Sequence, residues 1–430
     1  MPDLRFSELA NLCNELETIT KRKILVQKLI NFLDKCDNED SVIVIRLLNG
    51  EILNTAGVPL NLYWSSFYDA ILKSTNITNS EFSKVFRKTG DIGNAVEEIF
   101  EKHPPRRQLT LFASEEITCK EILAFINKIA SFTGKGSKKR KQDYLSSFIS
   151  RLSPLEAKCL VKLLLRDLRI GISTGILEEA LAKKFNVPLD NLKKAHMIVG
   201  SLSYLLSLIL KHGPSVIYNV RPVFFNPLKV MLADTAETPE EILKYHGGAT
   251  SLEYKLDGIR VQIHKKGEQV KIFTRRLNEI TSYLPEIVSQ MKEKWFDFIV
   301  DGEIIGIDKH TKKPLAFQDL MHRFKLEHMR DNIIEEIPVR LFLFDILLLE
   351  DVSYIDKPYD IRHEKLQQYF SEFIVPTIIT NDPECIQKFF NRAIKEGHEG
   401  LVAKNLFSKY LPGKRKRYWL KYKFTHETID

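Results

Sequence analysis

The sequence predicts an all-α domain followed by an α+β domain with antiparallel sheets. Two observations carry this prediction. Apolar residues recur every three or four positions through the first half of the chain, as they do on one face of a helix. After about residue 215 the pattern changes to short strand-like runs separated by turns and helical stretches. We therefore expect a helical domain over residues 1–217 and an α+β domain over residues 218–430.

The size and composition of the chain agree with two or three globular domains. It has 430 residues, of which 44% are hydrophobic and 28% charged. The five cysteines are scattered without a CxxC pair, which argues against a disulfide framework or a zinc ribbon. The start lacks the apolar core of a secretory signal, and the most apolar window, residues 197–210, is too short to span a bilayer. We predict a soluble intracellular protein in which this window is a buried helix.

The helical half contains one long periodic stretch over residues 6–36. Further amphipathic runs cover residues 122–132, 144–151, 156–168 and 175–185. Ser173 or Thr174 is a candidate N-cap for the last of these runs. Residues 134–142, GKGSKKRKQ, place five basic side chains in a segment that its glycines predict to be a loop. Such a run is either a solvated surface or a contact for phosphates.

The second half opens with residues 218–230, whose two prolines and lack of helical period predict a linker. Residues 260–264 and 270–274 flank a glycine-containing turn and predict a β-hairpin. Two apolar runs, 298–307 and 339–349, predict buried strands. Helical patterns cover residues 360–373 and 383–395. This mixture of strands and helices is typical of an α+β domain.

The net charge of +8 suggests a polyanionic partner. Residues 404–423 contain eight Lys or Arg and no acid, so this segment alone equals the net charge. The basic residues are interleaved with Tyr410, Tyr418, Trp419 and Tyr422. A merely solvated surface does not need these aromatic side chains, and we predict that the segment binds anions.

The candidate catalytic centre is the segment 253–260, EYKLDGIR. Strand alternation predicts that Glu253, Lys255 and Asp257 lie on one face. Lysine is a nucleophile only when its amine is neutral, so its pKa must fall below the ordinary value of about 10.4 through nearby cations or desolvation. The alternative is a surface lysine paired with Glu253 and Asp257.

Further charged residues occur in strand-like apolar runs. Residues 301–303, DGE, lie in such a run, where carboxylates are costly unless they are paired or bind a metal. Glu399 and Lys404 bracket another apolar run, and Lys421 and Lys423 share one strand face. Together these residues offer acids for a divalent cation, cations for phosphates and one candidate nucleophile.

These motifs resemble those of covalent nucleotidyltransferases. KLDGIR, TRRLNEIT, DGEIIGID, FLFDILLLED, EGLVAK and WLKYK stand in the order and spacing of motifs I, Ia, III, IIIa, IV and V. Within that superfamily they resemble the ATP-dependent DNA ligases of the archaeal and eukaryotic replicative type. LRIGISTGILEEAL resembles the N-terminal DNA-binding domain of this family, and FNPLKVMLA resembles the junction that follows it. The resemblance therefore implies a DNA-binding domain followed by a nucleotidyltransferase (adenylylation) domain.

The resemblance implies an enzyme that seals nicks in duplex DNA with ATP and Mg²⁺. Lys255 would attack the α-phosphate of ATP and form a lysyl–AMP. AMP would pass to the 5′-phosphate at the nick, and the 3′-hydroxyl would displace it. The implied nucleotide-binding residues are Glu253, Arg260, Arg275, Glu303, Phe344, Arg415, Lys421 and Lys423. The implied metal ligands are Glu303, Glu399 and Asp257.

Some of these residues have more specific implied roles. Phe344 matches the ring that stacks on adenine, although a phenylalanine in so apolar a run is usually a core residue. Glu253 matches the acid near the base, and Lys423 matches a cation that assists at the α-phosphate and lowers the pKa of Lys255. Asp257 is expected to orient the lysine or the metal. Asp345 is either a strand-end hydrogen-bonding group or an outer partner of the metal.

Two further binding segments are predicted in the helical half. Residues 106–112, RRQLTLF, resemble the short motif by which replicative ligases bind a sliding clamp. The anchors of this motif would be Gln108, Leu111 and Phe112. The alternative is a loop before the next helix, with Phe112 packed on its own domain. The candidate DNA contacts in the basic segment are Lys135, Lys138, Lys139 and Arg140.

Members of the family usually continue past motif V into an OB-fold domain that carries one more basic motif. This sequence stops seven residues after Lys423. The resemblance therefore predicts a chain without the OB-fold and impaired in self-adenylylation, unless a separate chain supplies that domain. The alternatives are an RNA ligase, a capping-type nucleotidyltransferase, or a nick-binding module without turnover. We expect a monomer without membrane contact, in the cytoplasm with the nucleoid, or in the nucleus of a eukaryote.

Overall fold

The computed structural model describes residues 3–52, 62, 64–105, 116–132, 134, 136–165, 167–325 and 337–423. The chain divides into two compact units. One comprises residues 1–196 and 201–220, and the other residues 197–200 and 221–430. The described part of the first unit is helical, and the second combines helices with two sheets. The predicted fold class, an all-α region followed by an α+β region, is thereby confirmed.

The helical region consists of short helices, most of which bury an apolar stripe. In the described residues they are α1 (Phe6–Glu17), α2 (Arg22–Leu33), α3 (Asn38–Leu48), α4 (Trp64–Thr75), α5 (Asn79–Thr89), α6 (Ile92–Lys102), α7 (Cys119–Ser131), α8 (Ser137–Ile149), α9 (Pro154–Leu164), α10 (Thr174–Lys184), α11 (Leu189–Val199) and α12 (Leu202–His212). In α1 the buried positions include Phe6, Leu9, Leu12 and Leu16, which follow the predicted helical spacing. No helix among the described residues is long and apolar enough to cross a membrane.

Two predicted continuous helices are interrupted. The stretch 6–36 breaks between α1 and α2, where Thr18 is the C-cap and its hydroxyl donates to the carbonyl of Glu15 at 2.9 Å. The window 197–210 breaks at Gly200, which has a φ of 77°. Ser201 then begins α12 by accepting a hydrogen bond from the amide of Tyr204. A left-handed glycine followed by a serine cap ends one helix and starts the next.

Residues 137–142 of the basic segment are helical, contrary to the prediction of a loop. Helix α8 begins at Ser137, with Gly136 as its N-cap at a φ of 78°. Lys138, Lys139 and Arg140 therefore lie on the first turn of a helix, while Lys135 falls outside the described residues. Ser173 is the N-cap of α10, as expected, but its side chain makes no capping hydrogen bond.

The second unit contains two five-stranded sheets. The first has the order β1 (Leu232–Thr235), β10 (Arg415–Lys423), β9 (Gly400–Lys404), β2 (Thr250–Lys255) and β8 (Thr377–Thr380). The second has the order β4 (Gln269–Thr274), β3 (Ile259–Lys266), β5 (Phe298–Gly306), β6 (Val339–Leu349) and β7 (Val352–Ser353). Only the pairing of β1 with β10 is parallel among these strands. The predicted hairpin is β3–β4, and the two predicted buried strands are β5 and β6.

Helices cover the sheets and complete their cores. They are α13 (Pro239–His246), α14 (Pro285–Lys292), α15 (Phe317–Lys325), α16 (Tyr359–Phe370) and α17 (Pro383–Lys395). Phe389 and Phe390 of α17 pack in the core of the first sheet, and Leu366 and Phe370 of α16 pack in the core of the second. The two predicted helices at 360–373 and 383–395 correspond to α16 with a following 3₁₀ turn and to α17.

The turn between β2 and β3 carries the chain from the first sheet to the second. Strand β2 ends at Lys255, so Asp257 lies in this turn and not on the strand face that alternation predicted. A Cβ added at Gly258 would lie 2.3 Å from the carbonyl oxygen of Ile304. Only glycine permits this close approach of the turn to β5, which explains the Asp–Gly pair after the lysine.

Candidate active site

Three neighbouring strands bring candidate residues into register. Lys255 of β2 and Lys423 of β10 are both paired with Gly400 of β9. In the next row on the same face, Glu253 of β2 and Lys421 of β10 are both paired with Val402 of β9. Because alternate residues of a strand share a face, two lysines of β10 lie on the same side of the sheet as the candidate nucleophile.

This face opens into a cleft of about 650 Å³ that both sheets line. Eight of the predicted residues line the cleft: Glu253, Lys255, Arg260, Arg275, Glu303, Phe344, Arg415 and Lys421. Phe317, Met321 and Phe324 of α15 form an apolar part of its wall. The sequence did not point to these three residues, because apolar residues at helical spacing are usually core.

Lys255 sits at the edge of this cleft with its side chain 20% exposed. Its ammonium group forms an ion pair with Glu399, and its carbonyl accepts a hydrogen bond from the Glu399 amide at 3.1 Å. Desolvation, followed by repulsion from Lys421 and Lys423, lowers the pKa of the Lys255 amine, and Glu303 opposes the shift. The amine therefore loses its proton more readily than an ordinary surface lysine.

Glu303 on β5 faces Arg260 on β3 in the register of the second sheet. Its carboxylate accepts a hydrogen bond from the Gly258 amide at 3.2 Å. Burial raises the pKa of Glu303 to about 7, and the charges of Arg260 and Lys255 oppose this rise. A carboxyl group with a pKa of about 7 is only partly ionised near neutral pH, and a cation bound beside it favours the ionised form.

A buried network holds Arg260 rigidly. Its guanidinium donates from Nε and Nη2 to the two carboxylate oxygens of Asp301, at 3.1 and 2.6 Å. Its Nη1 donates to the carbonyl of Met231 at 2.7 Å. The hydroxyl of Tyr410 donates to Asp301 at 2.7 Å and accepts from the Met231 amide at 3.0 Å. The predicted nucleotide-contacting arginine thus has a fixed orientation.

Aromatic rings form another part of the cleft wall. Phe344 and Trp419 meet edge to face, with their ring centres 6.1 Å apart. The Arg260 guanidinium lies 5.3 Å from the centre of Phe344 and 5.4 Å from that of Trp419. Phe344 is half-buried and lines the cleft, so it is not solely a core residue.

Glu253 is 2% exposed and pairs with Lys404, Nζ to Oε2 2.8 Å. It also accepts a hydrogen bond from the hydroxyl of Tyr359 at 2.5 Å. Asp345, whose role the sequence left open, pairs with Arg362 at 2.7 and 3.0 Å in a fully buried contact. Asp345 is therefore a buried ion-pair partner in the interior of β6, not a hydrogen-bonding group at the strand end.

The three predicted metal ligands have separate partners. Glu303 and Glu399 contact Gly258 and Lys255 as described, and Asp257 accepts a hydrogen bond from the Phe317 amide at 3.1 Å. Within the described residues, no group of three or more His, Cys, Asp or Glu side chains is placed to hold a metal ion. Mg²⁺, however, is usually bound by one or two carboxylates together with substrate phosphates and water. The oxygen donors of Glu303 and Glu399 fit that type of site.

The remaining predicted residues differ in position. Arg275 and its neighbour Arg276 are exposed after β4 and line the cleft. Lys423 is exposed at the end of β10. Lys138, Lys139 and Arg140 belong to α8 in the other unit. The proposed clamp anchors, Gln108, Leu111 and Phe112, fall outside the described residues.

Comparison with known proteins identifies the family. Residues 230–423 match the family described as ATP dependent DNA ligase domain, and residues 5–182 match DNA ligase N terminus. The chain is 34% identical over 434 residues to a DNA ligase of Methanopyrus kandleri, and the match covers 99% of this chain and 77% of that protein. It is 33% identical over 424 residues to DNA ligase 1 of Korarchaeum cryptofilum, with 97% and 75% covered. The solved structure of Pmar-Lig_PreS3 shares the fold, with a TM-score of 0.50 and 16% identity over 97% of this chain and 78% of that one.

The chain is therefore an enzyme of the ligase class. More narrowly, it belongs to the ATP-dependent DNA ligase family. The prediction of an ATP-dependent DNA ligase, made from the order of the motifs, is confirmed.

Proposed function

We propose that the chain seals nicks between a 5′-phosphate and a 3′-hydroxyl in duplex DNA through a lysyl–AMP intermediate on Lys255. The observation that supports this most is the environment of Lys255. The lysine is partly desolvated, lines the cleft and lies in one row with Lys423, so its amine is more easily neutral than in water.

In the first step the neutral amine attacks the α-phosphorus of ATP. A phosphorus–nitrogen bond forms, pyrophosphate leaves, and the amine gives up a proton. Lys421, Lys423 and Arg415 supply positive charge for the phosphates in this part of the cleft. AMP then moves to the 5′-phosphate of the nick, and attack by the 3′-hydroxyl releases it.

The base of ATP is assigned to the aromatic part of the cleft. Phe344 offers a ring face for stacking, and the fixed guanidinium of Arg260 adds a cation beside it. Glu253 is assigned to the edge of the base, because it is a buried acceptor that lines the cleft. Arg275 is assigned to phosphate contact at the more exposed end.

We assign Glu303 and Glu399 to hold Mg²⁺ jointly with the phosphates. Asp257, held by the Phe317 amide, would orient a water bound to the ion. When bound, the ion offsets negative charge on the transferring phosphate. The raised pKa of Glu303 supports this assignment, because a divalent cation favours the ionised form of a buried carboxyl group.

Residues 1–217 are assigned to DNA binding and residues 218–430 to adenylylation. The supporting observation for the first assignment is the helix α8, whose first turn presents Lys138, Lys139 and Arg140. Cations at the start of a helix, next to its free amide groups, suit the phosphates of DNA. Lys135 precedes this turn in the sequence and is assigned to the same contact.

A labelled-AMP gel assay tests the central proposal. The purified chain, incubated with Mg²⁺ and ATP labelled at the α-phosphate, should become labelled, although slowly if self-adenylylation is impaired as the sequence predicts, and Lys255→Ala should not become labelled. Lys388→Ala is the control, since Lys388 of α17 is 78% exposed and does not line the cleft. Labelling of Lys255→Ala at the wild-type level would exclude this lysine as the nucleophile. Sealing of a nick that already carries AMP measures the last step separately.

A second assay tests the sliding clamp as a partner. In a pull-down with the clamp, Phe112→Ala should reduce binding at least tenfold, because an aromatic anchor dominates this type of peptide contact. Phe407→Ala is the control, since Phe407 is another aromatic residue that is 75% exposed. Undiminished binding by Phe112→Ala would contradict the proposal.

A further inference from the structure

We propose that Tyr359 is a positioning residue that determines which oxygen of Glu253 is left to meet the nucleotide base. In this way Tyr359 favours a purine that presents an amino group to Glu253 over a purine that presents a carbonyl group there, that is, ATP over GTP. The inference rests on the proposed function, which assigns Glu253 to the base.

The two oxygens of Glu253 are used unequally. Oε1 accepts hydrogen bonds from the Tyr359 hydroxyl at 2.5 Å and from Lys404 Nζ at 2.9 Å. Oε2 pairs with Lys404 Nζ at 2.8 Å. A carboxylate oxygen has two acceptor positions, so the described residues saturate Oε1 and leave one position on Oε2. A ligand in the cleft is therefore met by Oε2.

The hydrogen bond from Tyr359 has only one possible direction. Burial raises the pKa of Glu253, but the ion pair with Lys404 opposes this rise and favours the ionised form. An ionised carboxylate can only accept, so the hydroxyl of Tyr359 donates its single proton to Glu253. The oxygen of that hydroxyl lies 3.2 Å from Nδ1 of His363, which must then donate to it. Nε2 of His363 accepts from the side-chain amide of Gln367 at 3.1 Å.

These residues form a directed chain along one face of α16. Tyr359, His363 and Gln367 are spaced by four residues, which places them one turn apart. Burial lowers the pKa of His363 to about 4, so its ring is neutral near pH 7, and each nitrogen has one role. The chain of donors runs from the exposed Gln367 to Glu253 and holds the carboxylate in one orientation.

The chemistry of the bases explains the consequence. Adenine presents an amino donor at the position where guanine presents a carbonyl acceptor. A fixed carboxylate oxygen accepts a hydrogen bond from the amino group of adenine and repels the carbonyl oxygen of guanine. Without the Tyr359 hydroxyl, Oε1 regains an acceptor position, and the carboxyl group can turn or take a proton. A protonated carboxyl group donates to a carbonyl, so the discrimination against GTP declines.

Equilibrium binding of ATP and of GTP in the presence of EDTA tests the inference without turnover. For Tyr359→Phe, which keeps the ring, we expect the ratio of the GTP and ATP dissociation constants to fall roughly tenfold, the size expected for a hydrogen bond to a charged group. The control is Tyr369→Phe on the same helix, whose ring packs on Phe296. The control should keep the wild-type ratio. An unchanged ratio in Tyr359→Phe would overturn the inference.

A double-mutant cycle separates positioning from loss of folding. In the background of Glu253→Ala, the added Tyr359→Phe change should alter the ratio no further, because the acceptor that Tyr359 positions is gone. A full effect of Tyr359→Phe in that background would also overturn the inference. The labelled-AMP assay stays separate: a wild-type chain that takes no label refutes the lysyl–AMP proposal, while the binding ratios still report on Tyr359.

Discussion

Lys255 and Lys423 face each other across Gly400, and each is paired with that glycine in the register of the first sheet. A Cβ added at Gly400 would lie 2.3 Å from the carbonyl oxygen of Tyr422, and the φ of this glycine is 143°. The spacing between the nucleophile and its neighbouring cation therefore depends on a residue without a side chain.

Gly400→Ala should lower the free energy of unfolding by roughly 3 kcal/mol, because strained φ and overpacking add. It should also slow lysyl–AMP formation. Denaturant unfolding and the labelled-AMP assay measure the two effects. Gly267→Ala is the control, since Gly267 also has a positive φ of 54° but an added Cβ meets nothing within 4 Å. Equal losses of unfolding free energy in the two variants would show that the close approach of Gly400 to β10 has no effect on stability.

Lys423→Ala should raise the pKa of Lys255, because one of the cations that disfavour its protonated form is removed. The neutral fraction of the amine at pH 7 then falls. We expect the pH profile of lysyl–AMP formation to move to higher pH and the rate at pH 7 to fall roughly tenfold, as for about 1.4 kcal/mol of lost interaction. Lys388→Ala should leave the profile in place. A profile that moves to lower pH would contradict this prediction.

Tyr410→Phe should weaken ATP binding, because Asp301 loses the hydroxyl that helps to hold Arg260. Two buried groups, Asp301 and the Met231 amide, also lose a partner, so the free energy of unfolding should fall by roughly 1–3 kcal/mol. Calorimetric titration and denaturant unfolding measure these effects. Tyr418→Phe is the control, since Tyr418 lies further along the chain, in β10, and is 42% exposed. Wild-type affinity in Tyr410→Phe would show that Arg260 does not depend on this network.

The buried His264 should make the second unit sensitive to acid. Burial lowers the pKa of His264 to about 3, from the 6.5 of an exposed histidine. Below pH 6.5 the unfolded chain therefore binds a proton that the folded chain does not, and stability falls as the pH drops. His264→Gln should reduce the slope of unfolding free energy against pH between 6 and 4 by up to about 1.4 kcal/mol per pH unit. His310→Gln, at an exposed histidine, should keep the wild-type slope.

Replacement of Lys138, Lys139 and Arg140 by Ala should weaken binding to nicked duplex DNA. If all three contact phosphates, the slope of log affinity against log salt should become less steep by about 2.7, at roughly 0.9 per contact. Fluorescence anisotropy over a range of salt concentrations measures this slope. Lys102→Ala, at an exposed lysine paired with Glu98, should leave the slope unchanged. An unchanged slope in the triple variant would place the DNA contact elsewhere.

The sequence predicted well those elements whose residue pattern lies within one short segment. The hairpin β3–β4 has a glycine turn between alternating strands, and β5 and β6 are continuous apolar runs. The segment around Lys255 was found from its own residues and from the order of the other motifs. The errors arose at the ends of helices and strands. Gly136 caps α8 although a glycine there predicts a loop, residues 18–20 interrupt an otherwise unbroken apolar period, and β2 ends before Asp257.

The side-chain networks could not be predicted, because their partners are distant in sequence. Tyr359 reaches Glu253 across 106 residues, and Tyr410 reaches Asp301 across 109. No pattern within either segment marks such a contact. A tyrosine in α16 or after β9 has the composition of an ordinary core residue. Only the three-dimensional pairing of the strands shows that each hydroxyl ends on a buried carboxylate.

The parallel pairing of β1 with β10 has a consequence for the order of folding. It joins Leu232 to Arg415, so the first sheet closes only after most of the second unit has left the ribosome. Until then, Trp419 and Lys421 are missing from the wall of the cleft. A nascent chain thus carries Lys255 without the cations that lower its pKa. The full lowering of the Lys255 pKa, by burial and by Lys421 and Lys423, therefore depends on the last of the described strands to be synthesised.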